Sequence, residues 1–153
     1  MTYMDTAFAE YFDPPASASR EPLVVVIEDG VRLSDAFRSI CEYLNVEVER
    51  MASWDDLRTV LRHRRPMAVV AELDAEGQDG CHVLMTVAAH DRGLPTLLIT
   101  GGDPAFLGAV DAVEEIWDLK SVTKWPDLPG VQEVVDYLSR AGLAGHCLRL
   151  IPV

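Results

Sequence analysis

From Leu23 onward the chain switches repeatedly between two hydrophobic periods. "LVVVIE" (23–28) is a continuous apolar, β-branched run, as expected of a strand buried on both faces. Leu33, Phe37, Ile40 and Leu44 then recur at helix spacing. "VEVER" (46–50) alternates, with Val46 and Val48 on one side, and predicts a second strand. Ser53 stands as N-cap before the helical "WDDLRTVLRHR", with Asp55 and Asp56 in its first turn. "MAVVAE" (67–72) is a third buried strand, followed by the helical "CHVLMTVAAHDRG", which Gly93 and Pro95 stop. "PTLLIT" (95–100) is a fourth strand. Asp103 and Pro104 cap and open the helix "PAFLGAVDAVEEI". "KSVTK" (120–124) is a weak fifth strand, and "PGVQEVVDYLSRAG" a fifth helix with the stripe Val131, Val134, Val135 and Leu138. Strands alternating with helices predict βαβ units: an α/β domain, (βα)5, with a doubly wound parallel five-stranded sheet. It is expected to span 23–141, between an N-terminal tail and linker (1–22) and a C-terminal tail (142–153).

In such a sheet, chemistry belongs at the carboxyl ends of the strands, at the switch point of the strand order. The first strand ends in Glu28-Asp29-Gly30, the third in Glu72, the fourth in Thr100-Gly101-Gly102 and the fifth in Lys124-Trp125-Pro126. Three carboxylates, a hydroxyl and an ammonium are therefore expected at one edge.

Composition narrows the function classes. The net charge of −12 excludes nonspecific nucleic-acid binding by the chain itself, which needs a basic surface. The one basic cluster, "RTVLRHRR", reads as a solvated helix end. Three widely spaced cysteines form no metal or disulfide pattern, and no apolar run reaches membrane-spanning length, so a cytoplasmic protein is expected. The first residues carry Tyr3, Phe8, Tyr11 and Phe12 ahead of a Pro/Ala/Ser-rich linker. They read either as a disordered tail or as a segment that docks on this domain or a partner.

The motifs together resemble the receiver domains of two-component response regulators. "VVVIEDG" matches that family's acidic pair, "LPTLLITGG" its Thr-ending fourth strand and "VTKWP" approximates its Lys-Pro. The resemblance implies the flavodoxin-like receiver topology and a chemistry of phosphoryl transfer to a carboxylate. Glu28 and Asp29 would hold Mg²⁺ against the dense negative charge. Thr100 and Lys124 would contact the phosphoryl oxygens. A sensor histidine kinase or another signalling protein would be the partner.

Two departures redirect that expectation. The family's acceptor Asp lies seven residues before an Asp-Gly; counting back from Asp79 gives Glu72. A Glu is one methylene longer than Asp, and a misplacement of about 1 Å can cost roughly 10²-fold in such a transfer. Its carboxylate is instead expected to approach Lys124 and imitate a phosphorylated Asp. Asp74, two residues on, is the alternative acceptor. Second, Trp125 separates Lys124 from Pro126, and Ser121 stands where the family carries a switch aromatic. The sequence therefore predicts an atypical single-domain receiver, a pseudo-receiver, that signals by protein–protein contact and is not an enzyme. Its expected output surface includes Phe106, Val110, Val113, Trp117 and Trp125. The apolar "CLRLIPV" is expected to pack on the domain or on another protomer, as in a homodimer. Two alternatives stay open: a phosphorylatable single-domain regulator using Asp74 with Mg²⁺, and a small Mg²⁺-dependent phosphatase-like enzyme using Glu28, Asp29 and Lys124.

Overall fold

The computed structural model describes residues 19–72 and 78–147, with side chains at 78 and 79 left aside. Asp74, Glu76, the N-terminal aromatic segment and most of "CLRLIPV" lie outside the described residues, as does the Asp79 side chain.

The predicted alternation is what the chain builds. In order come β1 (Glu21–Glu28), α1 (Arg32–Tyr43), β2 (Glu47–Met51), α2 (Leu57–Arg64), β3 (Pro66–Glu72), α3 (Gln78–His90), β4 (Thr96–Ile99), α4 (Pro104–Ile116), β5 (Val122–Trp125) and α5 (Val131–Ala144). All strand pairings are parallel, in the order β2-β1-β3-β4-β5. The chain moves outward to β2, then crosses back to β3, so the strand order reverses between β1 and β3. At that crevice the register sets Glu28 directly opposite Glu72.

Period-two alternation divides the strand side chains between two cores. Val25, Ile27, Val69, Ala71 and Leu98 pack against Leu61 of α2, Val83, Leu84 and Val87 of α3, and Phe106 and Val110 of α4. Val24, Val26, Val70, Leu97 and Ile99 pack against Leu33, Phe37 and Cys41 of α1 and Val134, Tyr137 and Leu138 of α5. Each fully buried Leu, Val or Phe contributes about 1.5–3 kcal/mol, against about 0–1 for a surface ion pair, so these two layers hold the fold.

Local rules fix the ends of the elements. Asp103 accepts a hydrogen bond from the Ala105 amide and Pro104 opens α4, as predicted. Ser53 also caps, but what it caps is a one-turn 3₁₀ segment (Trp54–Asp56) that leads into α2. Arg65, with φ +53, ends α2 in the left-handed region. Arg64 is not a solvated end charge. Its guanidinium binds Glu21 and Glu47 at the starts of β1 and β2, and those hydrogen bonds, Glu47's first, raise its pKa. Gly80 of α3 has a packing reason: a Cβ there would stand 2.7 Å from the ring of buried Phe106, which would have to shift to admit it.

Candidate functional site

Glu28 is 1% exposed. One carboxylate oxygen accepts from the Leu33 amide at 2.9 Å and the other from the Ser34 amide at 2.7 Å. Val31, at the N-cap of α1, offers no side-chain acceptor, so Glu28 satisfies the first-turn amides from the neighbouring strand end. Charge also suits the site, since a carboxylate at a helix N-terminus meets the positive end of the dipole.

Glu72, one strand over, is solvated on one side. Its Oε2 accepts from Nη2 of Arg32 at 3.0 Å, with the carboxylate side chain 27% exposed and the guanidinium 66% exposed. Arg32 is the first residue of α1, where a cation opposes the helix dipole. A second guanidinium, that of Arg50 at the end of β2, donates to the backbone carbonyls of Glu28 (3.2 Å), Asp29 (2.8 Å) and Gly30. It ties the loop after β1 to the neighbouring strand. Sequence reasoning missed both arginines. The signal for Arg32 was its place in the first turn of a predicted helix, a position that cations disfavour and that asks for a partner.

Thr100 is 5% exposed and its hydroxyl is occupied. It donates to the Trp125 carbonyl at 3.3 Å and accepts from the Gly102 amide at 3.3 Å. Gly101 and Gly102 turn the chain at φ +68 and +74, in the left-handed region that a side chain would strain.

Lys124 is not brought to the other site residues. Its ammonium binds Asp111 and Glu114 of α4, each at 2.7 Å. Burial lowers its pKa, and the hydrogen bonds to these two carboxylates outweigh that and raise it. The cause is strand parity. Val122 packs into the α2–α4 core and Trp125 into the α1/α5 core, where its ring meets Tyr137 edge-on at 6.0 Å. Lys124 shares the parity of Val122, whereas Glu28 and Glu72 share that of Val24, Val26 and Val70. The residue inserted between the Lys and Pro126 therefore puts the ammonium on the face opposite Glu72. The expected Glu72–Lys124 contact is corrected to Glu72–Arg32.

What results is an open cleft of about 300 Å³ whose lining includes Arg32, Glu72, Thr100, Gly101, Asp103 and Pro126. A hard divalent cation would need several oxygen ligands. Glu28 has both oxygens on backbone amides and Glu72 faces a guanidinium. Of the two expected ligands and the acceptor-position Glu72, only Asp29, exposed, has a carboxylate without a partner among the described residues. No group of three or more His, Cys, Asp or Glu among the described residues is arranged to hold a metal. The donors described do not fit Mg²⁺ as the resemblance implied.

No protein-family model matches the chain, and no curated protein does. Solved structures do. Chemotaxis response regulator CheY4 of Vibrio cholerae is 16% identical, with a TM-score of 0.60 over 79% of this chain and 98% of that one. A CheY-like response regulator receiver domain protein from Methanospirillum hungatei is 15% identical, with a TM-score of 0.59 over 83% and 100%. The beryllofluoride-activated NtrC receiver domain is 16% identical, with a TM-score of 0.59 over 83% and 97%. The fold is that of a receiver domain. Its five parallel strands in one sheet follow the receiver plan. Among the described residues no helix is long and apolar enough to cross a membrane.

Proposed function

We propose that this chain is an atypical receiver that acts in signal transduction by binding a partner protein in the cytoplasm, without phosphorylation at Glu72, without Mg²⁺ and without turnover of a substrate. The observation that carries this reading is the Arg32–Glu72 pair at 3.0 Å. The carboxylate at the acceptor position already has a cation fixed by the protein itself. A phosphoryl group on Glu72 would have to displace that pair and would find no ammonium, since Lys124 is held by Asp111 and Glu114 on the other face of the sheet. Transfer to a carboxylate depends on positioned charge, so these absences weigh more than the presence of an acid. Of the expected output residues, Phe106 and Val110 are core, whereas Trp117 is 36% exposed and open to a partner.

The test is incubation with acetyl phosphate, or with beryllofluoride, in the presence of Mg²⁺, read by intact mass and by backbone amide shifts. No adduct is expected at Glu72. An adduct that Glu72→Gln abolishes overturns the reading. One that Asp74→Asn abolishes, with Glu72→Gln unaffected, establishes the phosphorylatable alternative.

A further inference from the structure

A second concavity, which shares no lining residue with the Glu72 cleft, lies between α2, α3 and the end of α4. It measures about 490 Å³ and is lined by Arg58, Arg62, His82, Met85, His90 and Trp117, among others. Arg58 and Arg62 are four residues apart on α2, so they stand on one helix face. Both are exposed, and neither has a hydrogen bond or ion pair among the described residues. His82 stacks on Trp54 with ring centroids 4.6 Å apart, Met85 is 39% exposed and Trp117 is 36% exposed. In a chain of net charge −12, this is a basic groove with an apolar floor and no acid on its lining. The complementary occupant is an acidic segment rich in aromatic side chains.

The chain itself carries one. Residues 1–18 contain Asp5, Glu10 and Asp13 and the aromatics Tyr3, Phe8, Tyr11 and Phe12, with no Lys or Arg. The fold delivers that segment to the groove's edge. Arg20 is clamped to Asp91 at 2.9 Å, and Asp91 directly follows groove residue His90. From His90 back to His82 the groove runs about 12 Å along α3, at roughly 1.5 Å per residue. The seven steps of chain from Asp13 to Arg20 extend up to about 25 Å. A short tether of this kind also gives an effective concentration on the order of millimolar, which favours the attached segment over a separate one.

We infer that the N-terminal acidic-aromatic segment docks in the α2–α3–α4 groove of its own chain, with its carboxylates on Arg58 and Arg62 and its aromatic side chains against Met85 and Trp117. The segment thereby covers a surface that a partner could otherwise use. This does not rest on the phosphorylation reading, and either can fail alone.

The chain has three tryptophans, Trp54, Trp117 and Trp125, and none in residues 1–18. Their indole N–H signals in the full chain are therefore reporters: Trp117 lines the groove, Trp54 stacks beneath His82, and Trp125 lies on the α1/α5 side. Phe8→Ser with Phe12→Ser, both outside residues 19–147, is expected to shift the Trp54 and Trp117 signals and leave Trp125 in place. Arg58→Glu with Arg62→Glu should give the same shift, and so should high salt, which screens exposed charges. Adding Asp5→Lys, Glu10→Lys and Asp13→Lys to the reversed groove should restore the original signals. Unmoved Trp54 and Trp117 signals in the Phe8/Phe12 variant overturn the proposal. So does a shift that depends on protein concentration, which would place the segment on a second copy.

Discussion

Glu28 and Glu72 are the same residue type, side by side in register at the ends of adjacent parallel strands, yet they do different things. Glu28 is sealed in, with both oxygens on the first-turn amides of α1. Glu72 stands one strand over in a cleft and meets an exposed guanidinium. Buried amides that lose an acceptor remain desolvated, whereas an exposed ion pair that loses one partner is replaced by water. The first carboxylate is therefore part of the fold and the second part of a surface. What a strand-end acid can do is decided by what already holds it.

Substitutions can break this contrast. The largest effect is expected at Glu28. Glu28→Ala should cost about 2–4 kcal/mol in urea unfolding, because two buried amides lose a charged acceptor. A cost below about 1 kcal/mol would mean that Glu28 is as dispensable as Glu72. Next is the exchange of Lys124 and Trp125, which returns an ammonium to the Glu72 face. It should destabilise by about 1–3 kcal/mol, through loss of the Trp125–Tyr137 contact and of buried aromatic area. Amide shifts at Arg32 and Glu72 would show whether the ammonium then competes for the carboxylate. Third, Arg32→Ala and Glu72→Gln should each cost less than about 1 kcal/mol, with a coupling of about 0.2–1 in a double-mutant cycle.

The smallest effect concerns pH. Lys124 titrates above its ordinary value of 10.5 in the folded chain, so its pairing stabilises fully below that pH. That contribution is lost as pH rises from there through the raised folded value. Burial also raises the Tyr137 phenol, so the unfolded chain releases that proton first, and stability falls in the same direction above about pH 10. Urea midpoints measured from pH 9 upward should decline, and Lys124→Met should make the decline shallower.

Much of this was legible in the chain. The continuous runs of β1 and β3 could only be strands covered on both faces, and Asp103-Pro104 announced α4. The convergence of Glu28 and Glu72 follows from topology alone, because both close buried runs in one parallel sheet. Lys124 was misplaced because matching a motif by residue type ignores parity; "VTKWP" already held the extra residue that turns the side chain over. The Arg32–Glu72 pair spans 40 residues of sequence, so no local rule reaches it, although a cation opening a helix was a hint. Gly80 read as half of an Asp-Gly signature, and its packing against Phe106 needed the third dimension.

The parity of Lys124 also bears on how such a site changes over generations. Side chains on a strand alternate, so no substitution at 124 can carry that position's side chain into the cleft, however favourable the new residue. Removal of a single codon, the one for Trp125, would reverse the facing of everything before it in the strand and set the lysine beside the proline. For this receiver fold, turning Lys124 itself toward the acidic edge takes a change of length, a mutation class that scans of point variants never visit.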